Sequence, residues 1–250
     1  MTIRTHAPYA AAALMLGAFL TVTPAHAVTI DVTEDVMTSS FFQGANAVRG
    51  YAGDNRPVFR VSTGNPFGTI GAETIYLAFD YDFSSFTGPV SALLTVQSTS
   101  GGFGADASAD TPFTVSAHGV AANPFTAISD DTNPGGSVSW LNFYNQSILP
   151  ADAAARSVVT GPGAVTFDVS ALVGSWISGG NAVQVIALTG LNDTSGNEFL
   201  HGFLNDTEAP GSVFLTVSAV PEPETYAMLL AGLGLLGLAR RRQRAAGDER

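Results

Sequence analysis

Two loops of the sequence are rich in the oxygen-bearing side chains that bind calcium. The first contains Asp130 and Asp131, and in the second Asp193, Ser195 and Asn197 alternate around a glycine. Calcium takes about six to eight oxygen ligands, and alternate residues of an acidic loop can supply several of them. The same residue types also favour turns, because their side chains bond to the nearby backbone. Calcium is therefore the candidate cofactor, with Asp130, Asp131, Asp193 and Asn197 as candidate ligands, and turn formation is the competing interpretation.

Aromatic side chains offer a second kind of chemistry, because the apolar face of a sugar can stack on an exposed aromatic ring. Trp140 and Tyr144 lie in one segment, and Tyr81 follows a separate apolar stretch. Trp140 also alternates with Val138, which is the pattern of a buried residue in a strand. We take Trp140, Tyr144 and Tyr81 as candidate ligand-binding residues, with a core position as the alternative for Trp140.

Residues suited to hydrolysis are sparse. The chain has no cysteine, and residues 28–219 contain two histidines, His118 and His201, and no Gly-x-Ser-x-Gly motif. A serine nucleophile needs a base and an orienting group, and two isolated histidines provide neither a triad nor a zinc site. Asp80 and Asp82 would share one face of a strand and could form the carboxylate pair of a glycosidase. A calcium ligand at the strand end or a solvated rim is the favoured interpretation. We therefore expect no catalytic residue and no enzymatic activity.

The charge balance narrows the choice of partner. The chain of 250 residues carries 21 acidic and 10 basic residues, for a net charge of −11, and 46% of it is hydrophobic. A nucleic-acid-binding protein needs a basic face, so this class of partner is excluded. Residues 28–219 alone hold 17 acidic residues against four arginines, a net charge of −13. This body can bury a sizeable core and repels polyanions unless a cation bridges the contact.

Short β-rich segments position the candidate site residues. Clusters of Gly, Pro, Asn and Asp separate these segments. Their alternation of apolar and polar side chains, as from Val90 to Val96, predicts strands with one buried face. The expected fold is all-β, an antiparallel two-sheet sandwich of the jelly-roll type, with a closed barrel as the alternative. The predicted strands cover residues 58–62, 74–80, 90–97, 113–118, 164–169, 182–189, 198–204 and 212–218.

One short helix interrupts the strands between Asp168 and Gly180. Apolar residues recur at helical spacing there, Asp168 or Ser170 can cap the start, and Gly179 and Gly180 end it. This helix is expected to close one end of the sandwich, with Trp176 in the core.

Residues 1–27 have the features of a secretory signal peptide. Arg4 supplies the positive start, residues 9–22 are a short apolar run, and Ala25-His26-Ala27 precedes the expected cleavage point. The run is too short for a membrane-spanning helix. The mature chain is therefore expected to be exported by the secretion machinery.

Residues 220–250 contain an acidic Pro-Glu-Pro spacer, an apolar run and an arginine cluster, in that order. The apolar run, residues 226–239, has 14 residues. As a helix it would span about 21 Å, against about 30 Å for a hydrocarbon core, which favours temporary membrane insertion over a permanent anchor. The arginines are expected to stay in the cytoplasm. The residues that define the pattern are Pro221, Glu222, Pro223, Arg240, Arg241 and Arg242.

This C-terminal pattern resembles the PEP-CTERM sorting signal over residues 220–244. The resemblance implies a Gram-negative bacterium and processing by an exosortase, a membrane transpeptidase-like enzyme. It further implies that the chain crosses the inner membrane, stays inserted by its C-terminal helix until processing, and then reaches the cell surface or an extracellular matrix of exopolysaccharide and biofilm. The predicted organisation is a signal peptide (1–27), an exported β-sandwich domain (28–219) and a sorting segment (220–250).

The body of the chain resembles the DNRLRE-type carbohydrate-binding module over residues 58–217. The matching pieces are "YLAFDYDFSSFTGPVSALLTV", "GGSVSWLNFYN", "FDVSALVGSWISGG" and "GSVFLTV". This resemblance implies a jelly roll that associates with polysaccharide, and it transfers no binding residue. The function expected is that of a non-catalytic, polysaccharide-associated protein of the cell surface or matrix. The alternatives are a lyase or glycosidase on the same fold and a structural matrix protein bridged by calcium.

Overall fold

A computed structural model describes residues 27–39, 58–63, 73–127, 148, 155–190, 193–206, 209–220 and 230–240. The chain divides into two compact units. The first, Ala27–Ser218, contains almost all of the strands. The second joins Met1–His26 with Ala219–Arg250, and its residues 230–240 form a helix.

The described residues form eleven strands. They are β1 (Ala27–Asp31), β2 (Glu34–Ser39), β3 (Val58–Ser62), β4 (Glu73–Ala78), β5 (Val90–Thr99), β6 (Phe113–Gly119), β7 (Ala155–Val159), β8 (Gly163–Asp168), β9 (Val185–Thr189), β10 (Leu200–Leu204) and β11 (Val213–Ala219). One sheet has the order β1-β11-β5-β10-β3, with β8 also paired to β5, and the other has the order β2-β4-β9-β6-β7. The two sheets are antiparallel, which confirms the predicted all-β sandwich.

Alternating side chains build the core between the sheets. In β5, Val90, Ala92, Leu94 and Val96 are buried, while Leu93 between them is 43% exposed. Successive side chains of a strand point to opposite faces, so this alternation separates core from solvent, as predicted. The signal helix predicted within residues 1–27 lies outside the described residues, apart from Ala27, where β1 begins.

Three strands, β1, β2 and β7, were not predicted. They are five or six residues long, and β2 and β7 contain charged residues such as Asp35 and Arg156. Their pairing depends on contacts that are distant in sequence. Asp35, for example, is buried and accepts a hydrogen bond of 2.6 Å from the backbone N–H of Asp206.

Helix α1 (Ser170–Ile177) closes one end of the sandwich. Asp168 Oδ1 accepts hydrogen bonds from the backbone N–H and the hydroxyl of Ser170, at 3.1 and 2.5 Å. These bonds stabilise the carboxylate and lower the pKa of Asp168. After the helix, Gly179 takes a φ of 74°, which favours glycine and ends the helix.

Trp176 anchors this helix in the core, as predicted. Its ring centroid lies 6.3 Å from that of Phe79 and 5.9 Å from that of Phe83, and only 7% of the residue is exposed. Phe83 belongs to a short 3₁₀ turn, Phe83–Ser85, that follows β4. We call this region of the sandwich the helix end.

Strand β5 connects the helix end to the opposite end. At the helix end, Ala92 bonds through its backbone to Val169 and to the side chain of Ser170, both at 2.9 Å.

At the other end of β5, Thr99 pairs with Gly202 and the chain enters residues 100–107, which we call the 100–107 loop. We call this region the loop end. A strand of 10 residues is about 33 Å long at ~3.3 Å per residue, which gives the separation of the two ends.

Strand β11 runs from the loop end towards the helix end. Gln97 N–H donates to the carbonyl of Ser212 at 3.1 Å, so β11 begins beside the last residues of β5. Because the pairing is antiparallel, β11 finishes near the start of β5. Ala27 pairs with Ser218 there, so the first and last described residues of the sandwich leave from the helix end.

Candidate functional site

Three polar side chains from distant parts of the sequence meet at the loop end. His201 Nε2 lies 2.5 Å from Ser98 Oγ, and His201 Nδ1 lies 3.3 Å from Asp106 Oδ1. His201 is fully buried, and Ser98 is 5% exposed. A hydroxyl, an imidazole and a carboxylate in this order have the composition of a nucleophilic triad. No local motif in the sequence marks this cluster, because β5, β10 and the 100–107 loop bring the three residues together only in the folded chain.

The protons of this cluster are arranged for structure rather than for nucleophilic attack. The backbone N–H of Ala107 donates to His201 Nδ1 at 3.1 Å. In the neutral ring the proton is therefore on Nε2, which donates to Ser98 Oγ, and the Ser98 hydroxyl in turn donates to the carbonyl of Gly161 at 2.9 Å. A nucleophilic serine needs the reverse arrangement, with Nε2 accepting its proton. The cluster therefore fastens the 100–107 loop and the turn at Gly161 to the sheet.

The stability of the domain is expected to depend on the protonation of His201. Burial lowers the pKa of His201 below its ordinary value of 6.5, and the nearby Asp106 carboxylate opposes this shift. The unfolded chain therefore binds the proton at a higher pH than the folded chain does, so the stabilisation is complete above pH 6.5 and is lost as the pH falls through the folded pKa. We expect the melting temperature of the wild type to fall below pH 6.5 by more than that of His201→Gln. Circular dichroism melts at a series of pH values test this, and parallel profiles would contradict it.

A buried ion pair lies at the same end of the sandwich. Arg60 Nε is 2.8 Å from Glu73 Oε2, and Arg60 Nη2 is 3.2 Å from Glu73 Oε1, so the contact is bidentate. Both residues are buried. Arg60 belongs to β3 of one sheet and Glu73 to β4 of the other, so the pair ties the two sheets together. Phe103, from the 100–107 loop, lies over the guanidinium with its ring centroid 4.9 Å from Arg60 Cζ.

Hydrogen bonds from side chains and from the backbone hold the 100–107 loop in place. Asp106 accepts hydrogen bonds from the Ser100 hydroxyl at 2.5 Å and from the backbone N–H of Gly101 at 2.7 Å. The N–H of Leu200 donates to the carbonyl of Ala105 at 2.9 Å, which extends the β10 backbone contacts into the loop. These bonds fix both arms of the loop around its tip, which includes Phe103.

The predicted calcium ligands that the structure describes serve as turn formers. Asp193 accepts hydrogen bonds from the N–H of Thr114 at 2.9 Å and of Ser195 at 3.0 Å, and from the Ser195 hydroxyl. The carbonyl of Asn197 accepts a bond from the Thr63 hydroxyl at 3.2 Å. Within the described ranges, no three His, Asp or Glu side chains are grouped so as to hold a metal ion. Asp130 and Asp131 lie outside those ranges, and calcium binding stays a prediction.

Of the predicted ligand-binding aromatics, only Tyr81 lies within the described residues. It is half-buried at the helix end, and its backbone exchanges hydrogen bonds of 3.1 and 3.0 Å with the Gln184 amide. Its ring meets the edge of Phe83, with centroids 5.0 Å apart. Trp140 and Tyr144 lie outside the described residues.

The predicted strand through Asp80 and Asp82 was too long. β4 ends at Ala78, and Asp82 instead caps the following 3₁₀ turn by accepting the N–H of Ser84 at 2.9 Å. Hydrogen bonds from Ser84 lower the pKa of Asp82, whereas the acid of a glycosidase pair needs a raised one. The prediction that these two carboxylates share one face of a strand is therefore wrong.

Part of the sorting segment is described. Arg240 is the last residue of the helix at residues 230–240, and it is exposed, as are five leucines of that helix. Pro221, Glu222, Pro223, Arg241 and Arg242 lie outside the described residues. Among the helices that the structure describes, none combines the length and the apolar character needed to cross a membrane.

Comparison with known proteins identifies this segment. The family model described as the PEP-CTERM protein-sorting motif matches residues 219–243, beginning at the last residue of β11. The motif supports an exported, cell-surface-directed protein that is targeted to an exosortase. No curated protein matches the chain. The resemblance of the body to the DNRLRE-type carbohydrate-binding module gains no support from these comparisons.

Proposed function

We propose that the chain is a non-catalytic protein that associates with polysaccharide at the cell surface or in the extracellular matrix. The observation that carries the proposal is the junction between the sandwich and the sorting motif. The motif begins at Ala219, the last residue of β11, at the helix end of the sandwich, where Ala27 pairs with Ser218. The chain therefore passes into the sorting motif at the helix end, and the loop end lies at the other end of β5, about 33 Å away.

The arrangement of side chains at the loop end supports a role without catalysis. In the serine–histidine–carboxylate cluster, Ser98 and His201 are buried, and the hydrogen bond from the Ala107 N–H to His201 Nδ1 leaves the proton of the neutral ring on the nitrogen that faces Ser98. A polymer substrate cannot reach a hydroxyl with so little exposed surface. Binding needs only the exposed surface of the sandwich.

The sorting motif supports the route by which the protein reaches its polymer. The secretion machinery exports the chain across the inner membrane of a Gram-negative cell, and the apolar C-terminal helix holds it there temporarily. The exosortase then processes the tail and releases the sandwich to the surface or to exopolysaccharide in a biofilm. Calcium held by the acidic loops would lower the repulsion between the negative body and an anionic polymer.

Co-sedimentation with exopolysaccharide from the producing organism tests this function. We expect purified residues 28–219 to sediment with the polymer in a saturable manner and to leave the polymer length unchanged. The assay is run with calcium and with a chelator, since a requirement for calcium would point to the loops of Asp130, Asp131, Asp193 and Asn197. Shortened polymer would instead indicate a lyase or glycosidase. An absence of association under both conditions would indicate a structural matrix protein.

A further inference from the structure

We propose that Phe103, at the tip of the 100–107 loop, is a stacking platform for the sugar rings of a neutral polysaccharide. This inference rests on the proposed function and gives it a site and a class of ligand. The aromatic residues considered at first, Trp140, Tyr144 and Tyr81, lie elsewhere in the sequence.

The exposure of Phe103 is unusual among the aromatic residues of the sandwich. It is 46% exposed, whereas every other described aromatic side chain is buried or half-buried. A partly exposed aromatic ring on an ordered loop can contact a ligand from solution. The axial C–H groups of a pyranose carry partial positive charge and pack well on the negative face of such a ring.

The loop presents this ring in a fixed position. Gly102 and Gly104, on either side of Phe103, have φ values of 81° and 75°, and these left-handed conformations turn the chain at the tip. The Arg60 guanidinium lies over the ring, and the bidentate ion pair with Glu73 fixes the position of that guanidinium. A ring that is ordered before binding loses little conformational entropy when a sugar stacks on it.

The neighbouring groups favour a neutral sugar. Asp106 lies three residues further along the same loop, and a quarter of its side chain is exposed. Its carboxylate can accept hydrogen bonds from sugar hydroxyls, but it repels a uronate or sulfate group. Arg60 cannot offset this repulsion because it is 5% exposed and already paired with Glu73. The net charge of −13 on residues 28–219 also repels anionic sugars.

The location of the platform also suits the attachment of the protein. The 100–107 loop follows Thr99 at the loop end, whereas the sorting motif leaves from the helix end. Phe103 and the start of the sorting motif therefore lie at opposite ends of the sandwich.

Affinity electrophoresis of the full-length chain, in a detergent without sugar headgroups, tests the site. The gels contain dextran, hydroxyethyl cellulose or a soluble β-1,3-glucan as neutral probes, and alginate as the anionic probe. We expect the wild type to be retarded by at least one neutral polymer and not by alginate. Phe103→Ala should weaken that binding by about tenfold or more, and Phe103→Trp should retain it.

Leu93→Ala is the matched control, since Leu93 is 43% exposed on β5 and lies outside the loop. It should bind as the wild type does, and the melting temperatures of all variants show that each is folded. Equal binding by Phe103→Ala and the wild type would overturn the site while leaving polysaccharide association intact. Retardation by no neutral polymer, or by alginate alone, would overturn the proposed ligand class. Failure of the proposed function itself would appear as an absence of association with the native exopolysaccharide.

Discussion

Replacement of Arg60 by methionine is expected to lower the free energy of unfolding by about 3–5 kcal/mol. Arg60 and Glu73 are both buried and form two hydrogen bonds, at 2.8 and 3.2 Å. Methionine fills much of the same volume but removes the cation that forms two hydrogen bonds with the buried Glu73 carboxylate. Urea unfolding followed by tryptophan fluorescence measures the loss.

The double variant Arg60→Met, Glu73→Met separates the cost of an unpaired charge from the cost of lost packing. Replacement of both partners of a buried ion pair by apolar residues of similar size is often close to neutral. The double variant should therefore recover most of the stability that Arg60→Met loses. A double variant less stable than the single one would show that the pair itself contributes the stabilisation. A loss below about 1 kcal/mol in the single variant would contradict effective burial of the charge.

Gly202→Ala is expected to cost about 3 kcal/mol, the upper end of the usual penalty for overpacking. An added Cβ at Gly202 would lie 2.7 Å from the carbonyl carbon and oxygen of Ser100 and 2.8 Å from the nitrogen of Gly101. These are backbone atoms at the start of the 100–107 loop, so no side chain can rotate away. Relief of the clash requires β10 and the loop to move apart.

Gly174→Ala provides the matched control for the same change of residue. Gly174 lies within α1, and an added Cβ there has no neighbour within 4 Å. Because alanine is the better helix former, this variant should gain about 0.5–1 kcal/mol. Thermal unfolding of the two variants beside the wild type provides the measurement. A Gly202→Ala protein as stable as Gly174→Ala would mean that the loop does not approach β10 as closely as described.

The strands that could be predicted from the sequence are those whose pattern is local. β3 matches its predicted bounds, and β5 and β11 match theirs within two residues. In β5 and β11 this is because buried side chains alternate along the strand. β2 could not be predicted in this way. Its Asp35 is buried because the carboxylate accepts a hydrogen bond from the backbone N–H of Asp206, 171 residues further along the chain. Strand position there is decided by tertiary pairing, which outweighs local propensity.

The same distinction applies to the functional residues. The sorting motif could be predicted because its three parts are contiguous, from Pro221 to Arg242. The cluster of Ser98, Asp106 and His201 could not, because the serine and the histidine are 103 residues apart and meet only when β5 and β10 pair. Phe103 could not be predicted as a binding residue for another reason. Its glycine-rich neighbours indicate a turn, and the sequence alone does not show that this turn is fastened to a sheet.

The position of β11 also determines when the protein can fold. This strand is the last of the sandwich along the chain, yet it lies between β1 and β5 in the finished sheet. Pairing of Val28 with Val217 joins residues 189 positions apart, and contacts of such long range make folding slow. The sheet therefore stays open until the whole of β11, which lies just ahead of the sorting motif, is available to pair. An exported chain can close its sandwich only after the residue where the sorting motif begins, Ala219, has been exported as well.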